Sequence, residues 1–349
     1  MPGTKPQCFA CILCVALCLL AGCRRSTPSA PFIEFTRVPE AAEGGSEKLS
    51  SIEGRVTGAR PGQRIILFAK SAVWWVQPFG NQPFTNISAD STWKNTIHLG
   101  TDYAALLVDP EYRPPSTMEQ LPKPGGPVVA VATVKGSGEI PIRTRKALTF
   151  SGYEWEVRQT PSDRGGGNLY AGENAWTDPE GFLHLRLMQH DGRWTSAEVA
   201  LTRSLGYGTY VFVVRDTSHL EPAATFSMLT WDDRALDQNH RELDIEISRW
   251  GNPSSNGAQY VVQPYYVAAN VARFAVPAGR LTHSFRWEPG RASFKTVRGA
   301  TVVARHEFMS GVPVPGDELV RMNLYYFRYA AVPLTKDAEV VIERFQYLP

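Results

Sequence analysis

Apolar and polar residues alternate with a period of two along most of this chain, in short runs that end at glycine, proline or polar clusters. That period belongs to half-buried strands, whose side chains point to opposite faces in turn. Between residues 31 and 136 the alternating runs are Ile33-Glu34-Phe35-Thr36-Arg37-Val38 and Ser51-Ile52-Glu53-Gly54-Arg55-Val56. Apolar stretches follow: Arg64 to Ala69 after a Pro61-Gly62 turn, then Val73-Trp74-Trp75-Val76, Asp102 to Val108 and Val128 to Val134. Strands at this spacing predict a small β-sandwich, with the proline-rich segment from Pro110 to Pro127 as a long surface loop. Residues 137–146, with Gly138 and Pro141, read as a linker. From 147 to 349 the pattern is again strand and turn, as in Gly181 to Leu187, Gly208 to Val214 and Glu339 to Phe345. No segment sustains a helical period with caps. The expected fold is all-β: the small sandwich, then a large curved jelly-roll sandwich of concanavalin-like type.

A length of 349 residues suits two such domains. The net charge of +2 gives no electrostatic case for nucleic acid or for an acidic polymer. All five cysteines lie in the first 23 residues, so the remainder has neither a disulfide nor a thiolate metal site. The seven histidines are scattered with no zinc-type spacing. The sequence assigns no metal and no cofactor, and leaves a structural calcium open.

The N-terminus reads as an export signal over 1–22. Lys5 precedes an apolar run from Phe9 to Leu20, too short for a comfortable membrane span. It ends in Leu20-Ala21-Gly22-Cys23, which resembles the bacterial lipoprotein box. The resemblance implies cleavage before Cys23, acylation of its thiol and a membrane anchor, with residues 23–30 as a tether. The protein is then expected in the bacterial cell envelope, lipid-anchored outside the cytoplasm on the outer membrane or cell surface. The alternative is an ordinary signal peptide with an incidental cysteine.

The chemistry concentrates in Glu242-Leu243-Asp244-Ile245-Glu246. In a strand the three acids share one face while Leu243, Ile245 and Ile247 take the other. The apolar positions mark a buried strand and fix its register, because a one-residue slip would put every acid in the core. Carboxylates sharing a small site cannot all ionise easily, so one is pushed into use as an acid.

Here the chain resembles glycoside hydrolase family 16, curved-sandwich enzymes that cut β-glucans and galactans. Glu242 to Glu246 match the family's Glu-aliphatic-Asp-aliphatic-Glu motif, in the form without a bulge. Arg203 to Tyr210, Thr225 to Trp231, His283 to Gly290 and Arg321 to Leu324 are similar to further family segments, in the right order. The likeness covers the C-terminal two hundred residues or so and stops short of the first domain. It implies retaining hydrolysis, with Glu242 as nucleophile, Glu246 as acid and then base, and Asp244 hydrogen-bonded between them. Retention needs carboxyls ~5–5.5 Å apart. Backbones four residues apart on a flat strand lie ~13 Å apart, so the strand should curve toward its substrate.

Trp287 and Phe294 are candidate sugar-stacking residues, and Trp231 and Trp250 lie near the acidic strand; each could instead pack a core. Arg203, Gln263 and Asn323 sit where the family places polar cleft residues. Trp74, Trp75 and Trp93 either form a sugar platform on the first domain or fill its core. The chain departs from the family at His240, where tryptophan is usual, at Tyr325-Tyr326-Phe327 after Leu324, and at Phe294 to Gly299, which lacks an Asp-Gly turn. These departures bear on the substrate and leave the acids intact. The expected partner is a polysaccharide, cleaved at internal bonds by a monomer. Transglycosylation would use the same acids. The rival from another class is a lectin-like or structural surface protein in which the acids do no chemistry.

Overall fold

The computed structural model describes residue 3 and residues 30–42, 44, 49–139, 146–159, 168–237 and 239–349. Cys23, with nearly all of the expected signal peptide and tether and the middle of the linker, lies outside the described residues. What is described is strand and turn, apart from two 3₁₀ helices, Gly172–Asn174 and Ala268–Asn270.

The first region pairs a three-stranded sheet (Phe32–Arg37, Leu49–Thr57, Thr92–His98) with a six-stranded one built around Arg64–Ser71. That strand carries five consecutive apolar residues, Ile65 to Ala69, all at most 3% exposed, because both of its faces are covered. Ile65, Leu67 and Ala69 face the smaller sheet and pack with Ile33, Ile52, Trp93 and Tyr103. Trp93 fits because residue 54 is glycine: a Cβ there would meet Trp93 Cζ2 at 2.2 Å. Ile66 and Phe68 form a second core with Trp74, Val76 and Leu106. The proline-rich segment is no plain surface loop. Within it Thr117–Met118 pairs with Trp74 and Trp75, and Tyr112, Met118 and Leu121 pack against the second apolar face. The prolines bar a regular strand, yet the apolar residues between them are needed as a cover.

The second region is one hydrogen-bonded ribbon of strands folded over on itself. One half runs Val271–Ala275, Gly257–Val262, Leu243–Ile247, Ala224–Trp231, Leu319–Tyr326, Arg193–Leu201. The other runs Leu183–His190, Ala338–Leu348, Gly208–Val214, Leu281–Glu288, Arg291–Arg298, Thr301–Phe308. They join where Met188 to His190 pairs with Arg193 to Thr195. Alternate residues of both halves meet in one core, among them Ile245, Met322, Phe226, Phe212, Phe285 and Ile342. This is the all-β sandwich of jelly-roll type that the alternation predicts.

A polar thread crosses that core. Tyr260 Oη donates to Thr296 Oγ1 at 2.6 Å, and Thr296 Oγ1 lies 2.9 Å from Nδ1 of fully buried His283. Burial pushes the His283 imidazole down to about 3, so it stays neutral.

Candidate active site

Leu243–Ile247 lies in the interior of its sheet, paired with Ala224–Trp231 on one side and Gly257–Val262 on the other. Leu243, Ile245 and Ile247 sink into the core, so Glu242, Asp244 and Glu246 rise from the opposite face. Glu242 stands just before the strand, after the turn residues 232–237 and 239–241. His240 and Arg241 of that turn adopt left-handed backbone angles, with φ of 51° and 53°, a conformation that costs roughly 1–2 kcal/mol each for residues with side chains. Hydrogen bonds offset the cost. Glu242 N donates to Asn239 O at 2.9 Å, and Asp232 N donates to His240 O at 2.8 Å. His240 Nδ1 is 2.8 Å from Asp232 O and must carry a proton, since a carbonyl only accepts. The Arg241 guanidinium pairs with buried Asp232 and donates through Nε to Val314 O at 3.1 Å.

The register sets a polar row across six strands: Glu198, Asn323, Ser227, Glu246, Gln259 and Arg273. Neighbours in the row hold one another. Arg273 Nε donates to Gln259 Oε1 at 3.3 Å, Gln259 Nε2 to Glu246 Oε2 at 2.6 Å, and Asn323 Nδ2 to Glu198 Oε2 at 3.1 Å. Buried Glu198 also accepts from Arg158 Nη1 at 3.1 Å and from Arg321 Nη1 at 3.0 Å, while Arg321 Nη2 reaches Asp233. Next to this row, Gln263 Nε2 donates to Asp244 Oδ2 at 3.0 Å and is itself oriented by Tyr265 N, 2.8 Å from its Oε1.

Asp244 is 2% exposed, whereas Glu242 and Glu246 on either side of it are only half-buried. Its carboxyl is held well above the usual range, first by burial, then by the charges of Glu242 and Glu246 and by its hydrogen bond to Glu242; Gln263 opposes. Two hydrogen-bonded carboxyls need one proton between them, and burial favours its place on Asp244. Burial also raises Glu246, against the hydrogen bond from Gln259. The three acids thus divide into a half-buried Glu242 hydrogen-bonded to Asp244, a buried Asp244 and a half-buried Glu246, the last two with carboxyls raised by burial.

The other expected site residues fare unevenly. Gln263 and Asn323 lie on the acids' face, in direct contact with Asp244 and with Glu198 respectively. Trp231 is on that face too but is largely covered: its ring stacks on His240 at 4.0 Å and its Nε1 donates to Asp233 Oδ1 at 2.8 Å. Half-buried Trp250 flanks the row through Arg273, whose guanidinium lies 5.7 Å from its ring. Arg203 is exposed in the bend 202–207, and the arginines that reach the row are Arg273, Arg321 and Arg158. Trp287 and Phe294 are not cleft residues. They are 0% and 1% exposed and belong to the core, Trp287 donating to Pro313 O at 3.0 Å and Phe294 stacked on Tyr260. Trp287 shares its strand face with Leu281, His283 and Phe285, all buried, and that parity settles its direction.

Glu198, Arg321, Gln259 and Ser227 escape the sequence reading. Glu198 leaves a trace, as a lone acid within the otherwise uncharged run Thr195 to Leu201. Among the described residues no group of three or more His, Cys, Asp or Glu side chains is placed to hold a metal ion.

No protein-family model matches the sequence, and no curated protein matches it either. Solved structures do. A β-glucanase of Bacillus licheniformis is 15% identical, with 56% of this chain and 92% of that one covered and a TM-score of 0.44. A β-1,3-1,4-glucanase (lichenase) from a mouse hindgut metagenome is 16% identical over 59% of this chain and 100% of that one, with a TM-score of 0.45. An immunostimulatory antigen and pseudo β-1,3-glucanase of Mycobacterium tuberculosis is 17% identical over 56% and 90%, with a TM-score of 0.42. Likenesses this distant say nothing of chemistry, which has to be read from the residues.

Proposed function

We propose that the region 147–349 is a retaining, endo-acting glycoside hydrolase that cleaves internal β-glycosidic bonds of a β-glucan or galactan. One observation carries it: half-buried Glu242 is hydrogen-bonded to buried Asp244, and burial raises the carboxyls of both Asp244 and Glu246 on the same strand face. Glu242 attacks the anomeric carbon while Glu246 gives its proton to the departing glycosidic oxygen. Glu246, now a carboxylate, takes a proton from water, and the hydroxide displaces Glu242 from that carbon. Asp244 releases its hydrogen bond as Glu242 becomes an ester and restores it as the carboxylate returns. Gln259 and Gln263 hold Glu246 and Asp244 at fixed angles throughout. The lipoprotein box at Cys23 supports an acylated protein tethered to the cell envelope, and Cys23→Ser should release it from membranes.

The test is incubation with a panel of β-1,3-, β-1,4- and mixed-linkage glucans and of galactans, with products read by mass and anomeric configuration by NMR. Oligosaccharides released with retained configuration support the proposal. Glycan binding with no bond cleaved on any member would overturn it in favour of a lectin-like protein.

A further inference from the structure

The first region touches the approach to the acidic strand at two points. The Trp75 indole lies parallel to the His240 imidazole, with ring centres 5.5 Å apart and planes 25° apart. Trp231 stacks on the same imidazole at 4.0 Å and 14°. His240 thus has an aromatic neighbour from each region. The second contact is the buried Thr117 hydroxyl, which donates to Leu236 O. Trp75 and Thr117 are direct cross-strand partners, so one small ladder makes both contacts. The alternation of Val73-Trp74-Trp75-Val76 explains why it can: Trp74 enters the core of its own sheet, and Trp75 is left pointing outward.

Both contacts fall on the turn residues ahead of the acidic strand, Leu236 and His240, which deliver Glu242. Two residues of this turn, His240 and Arg241, hold left-handed angles that a free turn would readily leave. We propose that the first region is part of the catalytic apparatus, with Trp75 and Thr117 as positioning residues that clamp this turn and so hold Glu242 against Asp244. This rests on the hydrolase reading of Glu242. It also assigns the tryptophan-to-histidine departure at 240 a cause: a smaller ring there admits Trp75 from the other domain.

The experiment uses the full chain with Trp75→Ala, Trp75→Phe and Thr117→Val, and measures kcat and KM on the best substrate. Hydrogen–deuterium exchange of the peptide spanning 232–242 is followed in parallel. Trp75→Ala should lower kcat about 100-fold with little change in KM, the loss expected for a reacting group displaced by about 1 Å. It should also speed exchange in the turn, and Trp75→Phe should restore both. Wild-type kcat and exchange in Trp75→Ala would overturn the clamp. A raised KM at unchanged kcat would overturn it too, making Trp75 a sugar platform instead. If the wild type cleaves nothing, the hydrolase reading has failed, while the exchange arm still shows whether Trp75 holds the turn.

Discussion

Asp244 makes ionisation of its neighbours and the stability of the fold a single problem. In the unfolded chain its carboxyl titrates near the ordinary ~3.9, while in the folded protein it holds its proton to much higher pH. The stability this supplies is full below the ordinary range and is lost as pH rises through the raised folded value. Asp244→Asn should therefore leave Tm unchanged near pH 3 and raise it above that. The gain is about 1.4 kcal/mol for each unit by which the folded value exceeds the unfolded one, and thermal melts across pH would show it. An unaltered Tm–pH slope would mean that Asp244 is not buried and protonated. Glu246 sets a kinetic counterpart. Glu246→Gln should cut polysaccharide hydrolysis on the order of 10³-fold and yet spare the first step on an aryl glycoside whose leaving group needs no proton. The wild-type alkaline limb should follow Glu246 and lie above the usual carboxylate range. These three acids are legible from sequence because a two-residue period with aliphatic partners leaves them only one face to occupy.

At the scale of the element, the polar groups around the acids form a row across strands, and no single strand reveals a row. Glu198, Asn323, Ser227, Glu246 and Gln259 come from five segments between residues 193 and 326, and only the register aligns them. Sequence shows which face a residue takes within its own strand, as Trp287 illustrates, but not which residue on the next strand it meets. The ion cluster at one end of the row follows the same logic. Arg321 and Glu198 are 7% and 1% exposed at their side chains, so neither charge has water to fall back on. Removing one partner of such a buried pair costs roughly 3–5 kcal/mol. Arg321→Met should lower unfolding stability by about that much in urea titration. Adding Glu198→Gln should recover part of the loss, and strict additivity of the two would show that the pair is not coupled.

At the scale of the molecule, strand alternation reveals two β-sandwiches and about half of their long strands, some to the residue, as with Asp102–Val108 and Gly208–Val214, but not Thr92–His98, Arg193–Leu201 or Thr301–Phe308. It does not reveal that the domains meet at His240, or that the 109–127 segment covers a second core, because both depend on residues distant in sequence. The core itself carries an acid sensitivity. His283 is buried and neutral, and it takes up a proton only when the chain unfolds. Its depressed folded value makes stability full above the unfolded ~6.5 and progressively lost as pH falls from there toward about 3. His283→Gln should flatten the Tm–pH curve across that window; an unchanged acid slope would count against a neutral, buried imidazole.

The strand Ala338–Leu348 lies between Leu183–His190 and Gly208–Val214, more than a hundred residues upstream. Until those eleven residues emerge from the ribosome, each of those strands keeps a bare edge and the core lacks Val340, Ile342 and Phe345. Assembly of the second half therefore waits on synthesis of almost the whole region, a long-range closure that favours slow folding.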